Sequence, residues 1–151
     1  MRVAVLVLSA LFLSACGYAD PSSTSVTIAA VTVETIPEAR ANGTPWDPSS
    51  APDLYIEMQD ALGQVYLSTS IADAASFPLA ASSPPIEVSN IERDYFFFAV
   101  EQDDDRPARE WDWIGATGSF SFADLAEERP TTLRLTNEDE AFCLELALEW
   151  E

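Results

Sequence analysis

The chain of 151 residues contains no histidine and no lysine. Without histidine it lacks the base of Ser-His-Asp and Cys-His catalytic groups and a common nitrogen ligand of zinc. Without lysine it can form no Schiff base with a substrate, and it has no phosphate-binding P-loop. Paired carboxylates remain sufficient for glycoside hydrolysis, but the sequence indicates no substrate cleft. We therefore expect that the protein is not an enzyme.

Positive charge is scarce, whereas negative charge is abundant. Seven basic residues, all arginine, stand against 26 acidic residues, which gives a formal net charge of −19 at pH 7. Nucleic acids and anionic lipid headgroups are recognised through basic surfaces. We therefore expect no nucleic-acid binding and no direct attraction to anionic lipids, and we expect most of the acidic residues to lie on a solvated surface.

Cysteine occurs only twice, at Cys16 and Cys143. Cys16 ends the motif Leu-Ser-Ala-Cys, which follows a short positive start and the apolar run 3–13. That run is too short to cross a membrane and is typical of a signal peptide. The motif resembles a bacterial lipobox, which implies cleavage before Cys16, lipid attachment to its thiol, and export. The alternative is an ordinary secretory peptide with an unmodified cysteine.

The lipobox resemblance also implies a cellular location and a division of the chain. Gly17 stands where an aspartate would favour retention in the inner membrane, so we expect an outer-membrane anchor in the cell envelope. We predict a signal peptide at residues 1–15, a lipidated Cys16 with a flexible tether to residue 24, and one domain at 25–151. The remaining chain is long enough for one domain with its own core and too short for two.

Short segments in which apolar and polar residues alternate recur along residues 25–151. The clearest, 142–150, places Phe142, Leu144, Leu146, Leu148 and Trp150 on one face and Cys143 on the other. Residues 25–36 show a phase slip at Ala29-Ala30, which predicts a bulged or bent strand. Six further strand-like segments lie at 54–58, 65–70, 86–91, 95–100, 115–122 and 132–136, with one helical turn expected within 123–130. The pattern predicts an antiparallel eight-stranded β-sandwich.

Two acidic loops adjoin these strands. Asp47 and Asp53 precede the strand-like segment 54–58, and Asp103, Asp105 and Asp112 follow the segment 95–100. Two carboxylates about 4 Å apart repel each other by roughly 4 kcal/mol at an effective dielectric constant near 20. A site that gathers several of them must bind a cation, hold protons or open.

The spacing of these aspartates resembles that of C2 domains. In that family one loop carries two aspartates five residues apart before a strand, as in Asp47-x5-Asp53-Leu-Tyr-Ile. A later loop carries Asp-x-Asp after a strand and a third aspartate before two hydrophobic residues and a glycine, as in Asp103-x-Asp105 and Asp112-Trp-Ile-Gly. The resemblance covers about residues 25–151 and implies a C2-like sandwich.

Calcium is the ligand that the resemblance implies. Its expected ligands are Asp47, Asp53, Asp103, Asp105 and Asp112, completed by loop carbonyls and water, with the weak affinity of extracellular modules, about 10⁻⁴ to 10⁻³ M. Two features depart from the family pattern: Pro52 precedes Asp53 instead of a proline following it, and the second loop is one residue longer. A relative that keeps the fold and has lost the ion is the alternative.

Four tryptophans complete the candidate residues. Trp46 and Trp111 each adjoin a predicted ligand loop, where they would act either as interface anchors or as packing lids. Trp113 and Trp150 are expected in the core. The sequence thus predicts a calcium-dependent module that binds lipid headgroups or an envelope protein. The alternative is a metal-free structural or protein-interaction lipoprotein with the same fold.

Overall fold

The computed structural model describes residues 24–46, 51–83, 85–102 and 111–151. Its strand segments, in chain order, are β1 Val26–Thr35, β2 Leu54–Asp60, β3 Val65–Ile71, β4 Leu79–Ala81, β5 Ile86–Val88, β6 Asp94–Gln102, β7 Trp111–Ala116, β8 Phe120–Ser121, β9 Thr132–Thr136 and β10 Cys143–Trp150. A 3₁₀ turn at Ala123–Leu125 lies where the sequence predicts one helical turn. In this part of the chain no helix has the length and apolar character needed to cross a membrane.

The strands form two antiparallel sheets. One has the order β4-β1-β10-β9 with β5 also paired to β1, and the other has the order β3-β2-β6-β7 with β8 also paired to β6. β4 and β5 follow each other along one edge of β1, and β7 and β8 do the same along one edge of β6. Each sheet therefore has four strand positions, and the predicted antiparallel eight-stranded sandwich is confirmed.

Alternation along the strands directs one set of side chains into the core between the sheets. Leu144 and Leu146 of β10 are completely buried, whereas Glu145 is exposed. β1 contains the predicted bulge, since its register against β10 shifts between Ile28 and Ala30. The extra residue turns Val31 back toward the core, so that both halves of this long strand contribute apolar side chains.

A buried carboxylate fixes the hairpin between β2 and β3. Asp60 Oδ1 accepts hydrogen bonds from the backbone N–H groups of Leu62 and Gln64, each at 2.9 Å. Its Oδ2 accepts from Arg93 Nη1 at 2.5 Å and from the Tyr66 hydroxyl at 3.2 Å. Burial by itself would raise the pKa of Asp60, but these hydrogen bonds hold that pKa below its ordinary value.

Cys143 lies on the outer face of its sheet, as predicted, beside Thr35 and Thr136 in the register of the neighbouring strands. Its side chain is nevertheless completely buried. Burial raises the pKa of the Cys143 thiol above its ordinary value. The thiol is therefore a small packed group and not a reactive nucleophile.

The two tryptophans expected in the core differ in burial. Trp150 is partly buried against the core, and its Nε1 donates to the Pro130 carbonyl at 2.9 Å. The prediction for Trp113 is wrong, since this side chain is 61% exposed. Trp113 and Trp111 alternate with the core residue Ile114 along β7, so both indoles point away from the space between the sheets.

Candidate functional site

Carboxylates from neighbouring strands meet at one end of the sheet β3-β2-β6-β7. Glu101, near the end of β6, pairs in register with Leu54 of β2 and with Asp112 of β7. Asp53 directly precedes Leu54. The two predicted ligand loops therefore enter the same end of the sandwich, with Asp53 and Asp112 on either side of Glu101. We call this region, defined by Asp53, Glu101 and Asp112, the loop end.

Arg40 is the cation that the described residues place at the loop end. It comes from the segment between β1 and β2, and its Nε donates to Asp112 Oδ2 at 2.7 Å. Its Nη2 donates to Glu101 Oε2 at 2.5 Å, and its Nη1 donates to the Pro45 carbonyl. The side chains of Glu101 and Arg40 are only 1% and 13% exposed. Because a buried carboxylate without a cation is strongly destabilising, Arg40 supplies the charge that lets Glu101 be buried.

Trp46 covers the same arginine. Its indole Nε1 donates to the Pro37 carbonyl at 2.6 Å, and its side chain belongs to the hydrophobic core. The guanidinium carbon of Arg40 lies 5.7 Å from the ring centroid, within the range of a cation–π contact. Trp46 is 6% exposed, so its ring packs in the core and holds Arg40 in place.

Trp111 has a different environment from Trp46. Its side chain is 46% exposed and projects from the outer face of its sheet. The ring meets the ring of Tyr55 edge-on, with the centroids 5.1 Å apart. Of the two tryptophans singled out beside the acidic loops, only Trp111 presents a large part of its indole to solvent.

Asp53 is held by the backbone of another loop. Its Oδ1 accepts a hydrogen bond from the Asp73 N–H at 2.7 Å, and the neighbouring Pro52 carbonyl accepts from the Ala74 N–H at 2.9 Å. Asp73 has a φ of 49°, a left-handed conformation in which aspartate is over-represented. These two hydrogen bonds fix the position of Asp53 against the segment 73–74.

The predicted ligand set is only partly within the described residues. Asp53 and Asp112 lie at the loop end, whereas Asp47, Asp103 and Asp105 lie outside the described residues, as does Cys16. Within residues 24–46, 51–83, 85–102 and 111–151, no group of three acidic, cysteine or histidine side chains is gathered closely enough to hold a metal ion. The oxygen donors present are of the type that calcium prefers, but Arg40 occupies one oxygen of Asp112.

Sequence reasoning missed Arg40 and Glu101 as members of this site. Glu101 directly follows the apolar segment 95–100, and Arg40 is one of only seven basic residues in the chain. The small number of arginines among so many acidic residues was the signal that could have pointed to this pair, since a buried carboxylate in this protein must pair with one of very few cations. Which acid pairs with Arg40 depends on strand register, which the sequence does not show.

No protein-family model matches the chain, and no curated protein matches it. Similar solved structures include the tandem C2 domains of extended synaptotagmin 2, with a TM-score of 0.49 and 11% sequence identity. That match covers 100% of this chain and 49% of the other, so the chain spans about half of its length. A C2 domain protein from Ramazzottius varieornatus is similar with a TM-score of 0.45 and 12% identity, over 83% of this chain and 88% of that one. Likenesses of this degree carry no information on ligands or partners.

Proposed function

We propose that this chain is a lipid-anchored, non-catalytic binding module of the bacterial cell envelope. The lipobox-like motif that ends at Cys16 supports the anchor, and Gly17 supports the outer membrane as its location. The absence of histidine and lysine supports a binding role over catalysis. The β-sandwich supplies a rigid frame that presents loops at each of its ends.

We propose further that the loop end binds calcium. The observation that carries this proposal is the placement of Asp53 and Asp112 at neighbouring strand positions around Glu101. Asp47, Asp103, Asp105, Asp53 and Asp112 would hold the ion through their carboxylate oxygens. A bound calcium ion would supply positive charge to an acidic surface and make it attractive to anionic headgroups or to an acidic envelope protein.

Arg40 limits the affinity that this site would have. Its guanidinium already neutralises part of the negative charge of Glu101 and Asp112, so a second cation gains less from these carboxylates. We therefore expect weak binding, in the range of about 10⁻⁴ to 10⁻³ M that is typical of extracellular calcium modules.

The same arginine favours a second candidate function, a metal-free interaction module. With Arg40 bonded to both Glu101 and Asp112, the described part of the loop end already contains a positive charge of its own. In this alternative the ion pair joins the segment before β2 to β6 and β7 as a structural element, and the partner binds elsewhere on the domain.

Unfolding of residues 20–151 in calcium, in magnesium and in chelator distinguishes the two functions. At a few millimolar calcium we expect a stabilisation of about 1 to 2 kcal/mol, because the ion binds only the folded state. The gain should disappear in the variant Asp103→Asn/Asp105→Asn. It should persist in Glu145→Gln/Glu149→Gln, which removes the same charge from exposed positions on the opposite sheet. Equal stability in all three solutions would exclude the calcium site and leave the metal-free module.

The anchor needs a separate test in a bacterial host. The full chain should incorporate a labelled fatty acid and sediment with outer membranes. Cys16→Ser should abolish both the labelling and the sedimentation, whereas Cys143→Ser should change neither. An unlabelled protein that is released in soluble form would show that the motif is an ordinary secretory signal.

A further inference from the structure

Aromatic side chains cover the outer face of the sheet β3-β2-β6-β7. Side chains that alternate with the core residues of β2, β6 and β7 point away from the other sheet. In most sandwiches with a solvated outer face these positions are polar. We call this surface the aromatic face, and its members are Tyr55, Phe96, Phe98, Trp111 and Trp113.

The rings of the aromatic face touch one another across three strands. Phe98 stacks on Trp113 with centroids 5.8 Å apart and an angle of 17° between the ring planes. Phe96 lies 6.5 Å from Phe98, and Tyr55 meets Trp111 at 5.1 Å. These contacts preorganise the rings, so a ligand would not need to order them.

The aromatic face also holds two of the four large hydrophobic side chains that are exposed among the described residues. Four large hydrophobic side chains are exposed in this part of the chain, namely Leu62, Val65, Trp111 and Trp113. Val65 pairs in register with Gln59, which neighbours the aromatic face, so three of the four share this side of the sandwich. A cluster of partly exposed aromatic rings on an otherwise highly charged protein marks an interaction surface.

A carboxylate lies among these rings. Glu57 pairs in register with Phe98 and is only 8% exposed. Tyr55 donates its hydroxyl hydrogen to Glu57 Oε2 at 2.5 Å, and the Gln59 amide donates to Oε1. Both donors are neutral, and the ion pairs found among the described residues involve Arg40 and Arg93 at the two ends of the sheet. The hydrogen bond to Glu57 raises the pKa of Tyr55, as expected beside a negative charge.

Further negative charge borders the exposed edge of this face. Trp113 lines an open cleft that continues along β7 to the turn between β9 and β10. Glu138, Asp139 and Glu140 of that turn line the opposite side of the cleft. Trp113 therefore stands between a patch of aromatic rings and a row of carboxylates.

We propose that the aromatic face binds a protein segment that presents arginine or lysine side chains. The faces of tryptophan, tyrosine and phenylalanine rings attract cations, and the attraction grows when the cation is shielded from water. Glu57 and the acidic turn 138–140 add Coulomb attraction for the same ligand, while apolar neighbours of the cation would pack on Phe96 and Phe98. The aromatic face begins beside the loop end at Trp111 and continues along the outer face of the sheet, and binding to it needs no calcium.

Charge complementarity favours a basic protein segment over a second copy of this chain or a lipid surface, the other two ligands that an apolar face could bind. The net charge of −19 makes a second copy of the chain repel the first. The same charge opposes contact with anionic lipid. A basic segment is the partner whose charge favours association and whose aliphatic stems can cover aromatic rings.

The test uses residues 20–151 in chelator and two fluorescent synthetic peptides. In one peptide arginine alternates with leucine, and in the other glutamine replaces every arginine. We expect saturable binding of the arginine peptide at an ionic strength of about 0.15 M, with at least tenfold weaker binding of the glutamine peptide. Trp113→Ala and Glu57→Gln should each weaken binding about tenfold, whereas Glu145→Gln on the opposite sheet should leave it within twofold.

Indole N–H signals in an NMR titration locate the contact independently. Trp111 and Trp113 should shift on adding the arginine peptide, whereas Trp150 in the core should not. Unchanged affinity in Trp113→Ala would show attraction to net charge alone and overturn the proposal, as would equal binding of both peptides or binding of neither. The proposal would also be overturned if Trp113→Ala abolished concentration-dependent dimers, which would assign the face to a second copy of the chain. Adsorption to uncharged vesicles that Trp113→Ala abolished would assign the face to lipid, with the same consequence.

Discussion

The two ends of the sheet β3-β2-β6-β7 both hold an arginine against a buried carboxylate, but the two pairs join different parts of the chain. At the hairpin end Arg93 bonds to Asp60, 33 residues away, and Asp60 also accepts two backbone hydrogen bonds from its own turn. At the loop end Arg40 bonds to Glu101 and Asp112, which are 61 and 72 residues away. The first pair completes a local turn, whereas the second joins three distant segments.

This difference determines what each carboxylate loses when its arginine is removed. Asp60 keeps the N–H groups of Leu62 and Gln64 and the hydroxyl of Tyr66 as donors. Glu101 is almost completely buried and receives from Arg40 a charged hydrogen bond that neutral groups cannot replace in strength. Among the described residues, Arg40 thus gives Glu101 a charged partner from a distant segment, whereas Asp60 also keeps several neutral donors from its own hairpin.

The largest effect should come from Arg40→Gln. This change leaves Glu101 buried without its guanidinium and is expected to lower the free energy of unfolding by about 3 kcal/mol. Urea unfolding of residues 20–151 measures the loss. Arg134→Gln is the matched control, since Arg134 lies exposed on the outer face of the opposite sheet and should change stability by less than about 0.5 kcal/mol. A similar small change in both variants would show that the Arg40 pair contributes no net stability.

Arg40→Gln also sharpens the choice between the two candidate functions. If calcium binds, removing the competing guanidinium should increase the calcium-induced stabilisation relative to the unaltered protein. If the module is metal-free, the variant should lose stability and calcium should not restore it.

A smaller effect is expected from Asp60→Asn, because the asparagine oxygen can still accept the turn hydrogen bonds. The pKa of Asp60 is lower in the folded protein than its ordinary value near 3.9, so ionised Asp60 stabilises the fold above that value. This contribution falls as pH decreases through the lowered folded pKa. The melting temperature of the variant should therefore lie below that of the unaltered protein at pH 7, and the gap should close in acid.

The matched control for Asp60→Asn is Asp94→Asn, at an exposed position at the start of β6. Its melting curve should follow that of the unaltered protein at neutral and at acidic pH. If the melting temperature of Asp60→Asn stayed below that of the unaltered protein by the same amount down to pH 2, the hairpin end would depend on hydrogen-bond geometry and not on the charge of Asp60.

Much of this fold can be predicted from the sequence, because apolar and polar residues alternate with the same two-residue period as the pleat of a strand. The inward residues of β10, the bulge of β1 and the hairpin at Asp60 follow from local patterns. The burial of Trp113 was predicted wrongly because a strand was expected to start at Gly115, whereas β7 begins at Trp111. Once the strand starts earlier, alternation places Trp113 on the outer face, where its size is no guide to burial.

The candidate site was less accessible to sequence reasoning than the fold. Strand ends and acidic residues are visible in the sequence, and the resemblance to C2 domains implied that Asp53 and Asp112 lie at one end of the sandwich. The partner of Glu101 could not be assigned, because Arg40 reaches it from a segment without regular structure. The aromatic face was overlooked for a related reason. Phe96 and Phe98 share one face of β6 by alternation, but Tyr55 and Trp113 join them only when register aligns the strands.

The buried thiol of Cys143 gives this protein a reporter of its own stability. Cys143 begins β10, which pairs with β1 on one side and with β9 on the other. A thiol reagent reaches this buried side chain only when its surroundings open, so the labelling rate measures how often that opening occurs. If Cys16 carries lipid, Cys143 is the only remaining thiol, and such labelling could follow the opening of the native protein on its own membrane without purification.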